Sequence, residues 1–335
     1  MFWRLLLVVI ALGLGTIVFS YSFPLTPGTG TRLKVSTEYP NDITVGWVGD
    51  MVPSKDAAYN HTVLSFVTPA LTEPDLMIGN LEGTFAAVDR SSKCIYLLNR
   101  CYAFRGDPSF AEALKTAGFD FVSLVNNHSY DYGDMGLADT TAVLDAAGIP
   151  YVSPTSPATS IVVKGKRIGI LGLSSTEPTR TITDYDFIKE NVAQLKQEND
   201  FVIVLFHGGN EGADKTSVPG MNEYMGTEDR GNVALVAHTA IDAGADLVLG
   251  AGPHVLRKIE TYKGKKIAYS LGNFVGGNGA LVTNGTLGLS GIFTSTLSYD
   301  HTPTHTFTSV ILTKNGTPTF DPLNRGKEFI EQLSQ

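Results

Sequence analysis

Cysteine is scarce, with two in 335 residues, so a disulfide-dense mini-domain is excluded and a thiolate-built metal site is disfavoured. Charge is also thin, at 17% of residues against a usual ~25%. The balance is acidic: 25 Lys and Arg against 33 Asp and Glu give a net charge of −8. No basic run and no Arg–aromatic stripe occurs, so the chain lacks what holds a phosphate backbone, and nucleic acid is not an expected partner. A Walker-type loop is missing, because Lys164-Gly165-Lys166 and Lys263-Gly264-Lys265 read as hairpin turns. Neither cysteine neighbours a histidine, and no nucleophilic serine elbow is visible. ATP-driven ligation is therefore not expected. What is present, 43% hydrophobic residues and 35 Gly with abundant Thr and Ser, excludes a disordered or collagen-like chain. It fits a strand-rich domain with a sizeable core, working outside the cytoplasm.

The one charge-free apolar run is Leu5 to Phe19, behind Phe2, Trp3 and the single cation Arg4. With Phe2 and Trp3 as interfacial anchors it just reaches the ~17 residues a spanning helix needs. Residues 1–22 thus read as a transmembrane signal anchor, or as a cleaved signal peptide ending in the mediocre sites Val18-Phe19-Ser20 or Ser20-Tyr21-Ser22. A buried core helix is the remaining alternative. Arg4 on the short N-terminal side agrees with the positive-inside rule. The expected location is a single-pass protein of the cell membrane with its domain extracytoplasmic, or a secreted one if the segment is cleaved. Residues 23–41, opening with FPLTPGTGTR, read as a flexible linker. No internal repeat or linker follows, so residues 42–335 form one domain.

Cys94 and Cys101 lie close together in SSKCIYLLNRC. In an oxidising compartment a disulfide closing that short loop is the natural reading, with two free thiols the alternative.

The body alternates strand and helix patterns. Strands are expected at Ile43 to Val48, Leu76 to Ile78, Phe121 to Val125, Phe201 to Phe206 and Leu247 to Leu249. Helices are expected at Pro108 to Ala117, Leu137 to Ala147, Asp184 to Glu198 and Asn232 to Ala243, three of them closed by glycine. Ile161 to Val163 and Ile168 to Leu173 form a hairpin, and Gly288 to Thr319 is strand-only. This is an α/β pattern with a mostly parallel sheet, to which the tail adds antiparallel strands or a second sheet.

The carboxyl ends of strands border the ligand crevice in such a sheet. Five strands end in groups able to ligate through oxygen or imidazole: Asp50, Asn80 with Glu82, Asn127 with His128, His207 and His254. One Asp after a strand is usually a helix cap, but five such groups at five strand ends point to one site. Carboxylate, amide and imidazole together suit Mn, Zn, Fe or Mg. One or two such ions would activate water and clamp an oxygen under attack.

The segments VGDM, GNLEGTF, LVNNHSYDYGDMGLADT, FHGGNEG, GAGPHV and YSLGNF, with the helix FAEALKTAGFD, resemble the signature of the bacterial CapA family of poly-γ-glutamate capsule biosynthesis. The resemblance runs from Ile43 to Phe274. It implies a calcineurin-like metallophosphoesterase fold, a sandwich of mixed β-sheets flanked by helices. It also implies that Asp50 ligates after the first strand and that Glu82 stands at the bridging position. Asn127 would ligate beside His128, a general acid or substrate-orienting group, and His207 and His254 would complete the metal set. The chain departs from the enzymes' pattern at Val52 and Gly252, where they carry histidines. A shell so depleted could hold one metal, bind two weakly, or recruit Asn80, Asp131 or Glu211. Asp131 could orient His128 as a catalytic partner, though helix capping by Asp131 and Asp134 is an equal reading.

Arg105, Glu211, Arg257 and Asn273 are the candidates for holding substrate, since Arg pairs bidentately with carboxylate or phosphate; structural salt bridges are the alternative for both arginines. His301 and His305 read as surface groups, His238 as packing or exposed, and His61 as opening a helix. The resemblance implies an anionic polymer such as poly-γ-glutamate as partner, together with other membrane subunits of capsule synthesis. The function it implies is that of a membrane-anchored CapA-like protein acting in synthesis or export of that polymer, with a metal-dependent phosphoesterase or polymer hydrolase of the cell envelope as the alternative.

Overall fold

The structure, a computed structural model, describes residues 6–12, 15–21, 41–94, 101–176 and 181–335. The chain forms two units, Met1–Ser36 and Thr37–Gln335. In the first, Leu6–Leu12 and Gly15–Tyr21 pair as an antiparallel hairpin, with Val9 opposite Val18 and Ile10 opposite Ile17. The expected transmembrane helix is not shown over these residues. Val8, Val9, Ile10, Thr16, Ile17 and Val18 are β-branched, a type whose restricted χ1 favours extended backbone. Among the described residues no helix is long and apolar enough to cross a membrane. Phe2, Trp3, Arg4 and the linker as far as residue 40 lie outside the described residues.

The second unit contains two large mixed sheets. Across the first, the strands run Pro318–Phe320, His305–Leu312, Leu289–Leu297, Ile43–Val52, Leu76–Leu81, Phe121–Ser123 and Tyr151–Val152. Ile43–Val52 and the three strands after it are parallel, and the tail strands pair antiparallel. Asn273–Gly276 adds a short parallel pairing to the end of Ile43–Val52. The second sheet runs Ile259–Tyr262, Lys265–Ala268, Leu247–Ala251, Phe201–His207, Lys166–Ser174 and Ala158–Val163. Its four central strands are parallel and its two edges antiparallel. The tail therefore extends the first sheet, and the middle of the chain builds the second.

Alternation along the strands sets the layers. Val45, Trp47, Leu76 and Ile78 face Ile168, Ile170, Phe201, Ile203 and Leu249 in a dry seam between the sheets. The opposite face of the first sheet, with Val48, Met51 and Met77, packs on helices Ala57–Val63, Ser109–Ala117 and Gly133–Ala147. Leu171, Leu173, Val202, Val204 and Val248 likewise pack on Tyr185–Glu198 and Val233–Asp242. Each large side chain so buried contributes about 1.5–3 kcal/mol. Trp47 crosses the seam and donates its Nε1–H to the Gly250 carbonyl at 3.1 Å.

Caps explain the helix ends. Asp184 accepts from the Phe187 N–H and Asn232 from the Leu235 N–H, while Gly118 and Gly148 close their helices in the left-handed region. His61 lies in the last turn of Ala57–Val63 rather than opening it. A terminal helix, Arg325–Leu333, buries Ile330 against the seam.

Candidate functional site

The parallel strands of both sheets deliver their carboxyl ends to one place. Asp50 sits at a bulge in Ile43–Val52, where Gly49 is obligatory because a Cβ there would lie 2.0 Å from the Gly272 carbonyl oxygen. That approach lets the Asp50 N–H donate to the same oxygen at 3.0 Å. Leu76–Leu81 supplies Asn80 and is followed directly by Glu82, and Phe201–His207 ends on its ligand candidate. Asp50, Glu82 and His207 are buried, and one donor atom from each falls within 4.8 Å of the others.

Hydrogen bonding separates scaffold from open donors. Asn80 donates to Asp50 Oδ1 at 2.8 Å and in turn accepts from Asn126 at 3.1 Å. Asn126 also accepts from the His128 N–H at 3.0 Å, so it ties two strand ends together. Both oxygens of Glu82, the Asn127 Oδ1 and both ring nitrogens of His207 are buried with no hydrogen bond. Leaving a buried polar group unpaired costs about 1–3 kcal/mol each, and these orphans come from the expected ligand residues. Their chemistry fits a hard or borderline divalent cation.

His254 stands across the cluster. Its Nδ1 lies 3.0 Å from Asp50 Oδ2 and 2.8 Å from Asn273 Oδ1. Both neighbours are acceptors, so Nδ1 carries the proton. The Nε2 faces Glu82 Oε1 at 3.8 Å and Glu211 Oε2 at 3.7 Å. The backbone holds it at φ 61°, a conformation a non-glycine residue rarely adopts. Burial opposes its protonation, but Glu82, Asp50 and Glu211 outweigh that and raise its pKa to about 10. His207 goes the other way: burial, then the Arg230 charge, lowers it to about 3, keeping the imidazole neutral as a ligand must be.

His128 is stacked on Phe104 with ring centroids 4.3 Å apart. Its Nδ1 donates to Asp131 Oδ2 at 2.7 Å and its Nε2 points to Glu82 Oε1 at 3.8 Å. Asp131 is wholly buried and is not a helix cap, since Gly133–Ala147 has no side-chain cap. Cys94 and Cys101 form a disulfide with Cα atoms 5.6 Å apart.

Two expected substrate groups, Arg257 and Arg105, are engaged in salt bridges. The Arg257 guanidinium is fully buried and committed to Glu223 at 2.6 and 2.8 Å, with further bonds to the Lys215 and Asn210 carbonyls. Arg105 pairs with Asp89 and donates to the Val88 carbonyl. Each is the salt bridge left open as the alternative. Asn273 is buried and orients His254, donating its other end to the Leu287 carbonyl at 3.3 Å. Glu211 does face the cluster, held by Arg230 at 2.8 Å. Arg230 and Lys93 are missing from the sequence-based set. Their segments, EDRGN and SSKC, carry no periodic signal, and only the fold brings them in. His238 pairs with Glu260 at 2.8 Å and stacks on Tyr262, and His301 pairs with Asp42 at 2.7 Å.

The departure at Gly252 has a backbone cause. It sits at φ +116°, and a Cβ there would meet the Gly208 carbonyl oxygen at 3.0 Å and His207 Cε1 at 3.2 Å. Its N–H points instead to Asp50 Oδ2 at 3.4 Å.

Two mixed sheets packed face to face between helices, with oxygen and imidazole donors gathered at strand ends, define a metallophosphoesterase-like architecture. A phosphatase from Mycoplasma pneumoniae superimposes with a TM-score of 0.51 at 15% identity, over 81% of this chain and 94% of that one, a likeness of fold. Residues 42–278 match the family described as bacterial capsule synthesis protein PGA_cap, and the chain belongs to that family. It is 29% identical over 233 residues to the capsule biosynthesis protein CapA of Bacillus anthracis, covering 64% of this chain and 53% of that one. It is 27% identical over 261 residues to the PGA biosynthesis protein CapA of Bacillus subtilis, covering 72% and 63%. The chain thus spans between half and two thirds of these relatives' length.

Proposed function

We propose that this chain is an envelope protein of capsule-polymer synthesis that holds a divalent cation and cleaves a bond in an anionic polymer of the poly-γ-glutamate type. The observation carrying this reading is the set of buried, unbonded donors on Glu82, Asn127 and His207. With Asp50 they would hold the ion, and His254 would join through Nε2 by releasing the proton there to solvent. When bound, such an ion supplies Lewis acidity at an oxygen of the scissile group. Asn80 and the Gly252 N–H fix the Asp50 carboxylate, and Asn273 fixes the His254 ring. His128, with Nδ1 held by Asp131, presents Nε2 for exchanging a proton with the leaving group. Glu211, held by Arg230 at the edge of the cluster, would accept from a substrate amide. A net charge of −8 does not attract an acidic polymer, so the cation offsets the repulsion.

The apolar run Leu5 to Phe19 behind Arg4 supports export, as an uncleaved anchor or a signal peptide. The domain then lies outside the cytoplasmic membrane, beside other membrane subunits of capsule synthesis. A second reading, a non-catalytic guide for the polymer, is favoured by Val52 and Gly252, which remove two imidazoles from the pattern of related enzymes.

The test is metal analysis together with hydrolysis of a phosphodiester reporter and of poly-γ-glutamate, comparing wild type with His207→Ala and His254→Ala. Stoichiometric metal, with turnover lost in both variants, supports cleavage. Metal-free protein that sustains capsule formation in both variants overturns it and leaves the guide.

A further inference from the structure

The Asp131 carboxylate is gripped from both sides of the disulfide loop. On one arm, Lys93, the residue before Cys94, places Nζ 2.7 Å from Asp131 Oδ1 and donates to the Asn127 carbonyl at 3.1 Å. The Ser91 hydroxyl donates to the Asp131 carbonyl at 2.6 Å and accepts from the Cys94 N–H at 3.3 Å. On the other arm, three residues past Cys101, the Phe104 N–H donates to Asp131 Oδ2 at 2.7 Å while its ring lies on His128. The Cys94–Cys101 bond joins these arms. Asp131 Oδ2 is the atom that takes the His128 Nδ1–H.

We propose that the Cys94–Cys101 disulfide, with Lys93 and Phe104 on its arms, is the clamp that positions the His128–Asp131 pair and the Asn127 backbone for the reaction. The inference rests on the proposed proton-exchange role of His128 and adds positioning residues that touch neither substrate nor cation. Its logic is entropic. Lys93 is a third exposed at its side chain, and a free lysine loses much rotamer freedom on being fixed. Closing the loop removes much of the backbone freedom that both arms would otherwise lose on gripping Asp131. A buried carboxylate held by an ammonium, an amide N–H and an imidazole has one orientation available, and the imidazole inherits it.

The test uses metal-free full-length protein and reads ring-nitrogen NMR of His128, assigned by His128→Gln. The Trp47 indole N–H, bonded across the sheet seam to Gly250, serves as an internal reporter of the fold. Oxidised wild type should show a single Nδ1–H form. Reduction, or Cys94→Ser with Cys101→Ser, should replace it by an averaged tautomer signal while the Trp47 resonance stays native. Lys93→Met with the disulfide intact should do the same, and Lys93→Arg should restore the single form. An unchanged His128 signal in the opened or Lys93→Met protein overturns the proposal. Loss of the Trp47 resonance on opening the loop also overturns it, because the disulfide would then support the whole domain. Metal stoichiometry of the same variants after reloading with the divalent cation separates this outcome from failure of the metal-site reading.

Discussion

His207 Nε2 lies 3.5 Å from Glu82 Oε1, and neither atom has a hydrogen bond. An imidazole and a carboxylate this close would ordinarily form a charged pair, the ring taking up a second proton. Burial and the nearby Arg230 charge keep that proton off His207, so both groups stay available to a cation.

Glu82→Gln should therefore lose metal affinity by more than the ~10–100-fold typical of removing a supporting residue. The metal-free variant should be as stable as wild type or firmer by about 1 kcal/mol, since one buried charge beside Asp50 is gone. Chelation should lower the unfolding midpoint of wild type and leave the variant unmoved. At a free ion concentration 100 times Kd the linkage is worth ~2.7 kcal/mol. Calorimetry with and without chelator checks both statements.

His128→Gln should reduce kcat by about 10²–10⁴-fold with KM little changed, the pattern of a group that moves a proton in the transition state. Asp131→Asn should cost less, ~10–100-fold, because His128 keeps its place but loses its oriented Nδ1–H acceptor. Steady-state rates on the phosphodiester reporter distinguish the two.

Asp50, Glu82, His207 and His254 can be read from the sequence because each follows a short apolar run that can only be a buried strand, and strand ends meet. Arg257 cannot, since its choice between Glu223 and substrate depends on the small hairpin Glu223–Met225 with Glu228–Gly231, whose pattern is weak. The run after Arg4 is ambiguous in principle: its β-branched residues suit a strand in water and a helix in lipid. Strand order also hides which strands pair, so the tail's place beside Ile43–Val52 emerges only from the register of Phe293 with Trp47.

Arg257→Ala should destabilise the domain by about 3–5 kcal/mol, because it strands the buried Glu223 carboxylate. Arg257→Met combined with Glu223→Leu should recover most of that loss. A substrate-binding arginine would show the reverse, a raised KM at normal stability. Urea unfolding beside reporter kinetics settles which pattern holds.

Asp321 anchors the terminal helix and gives the fold an acid limit. Its carboxylate accepts from the Arg325 N–H at 2.6 Å, the Leu323 N–H at 3.2 Å and the Ser309 hydroxyl at 3.1 Å. Burial alone would raise its pKa, but the Arg325 side chain and these donors outweigh that and hold it below the usual range. A depressed carboxylate contributes stability above its unfolded pKa of ~3.9, and that contribution is lost as pH falls through the folded value. Bonds to a charged group are worth ~1.5–3 kcal/mol, so Asp321→Asn should cost about that at neutral pH. The variant's stability should then converge on wild type at acid pH. Denaturant midpoints measured from pH 7 down to pH 3 should therefore approach each other; curves that stay parallel would mean that the Asp321 charge does not hold the helix.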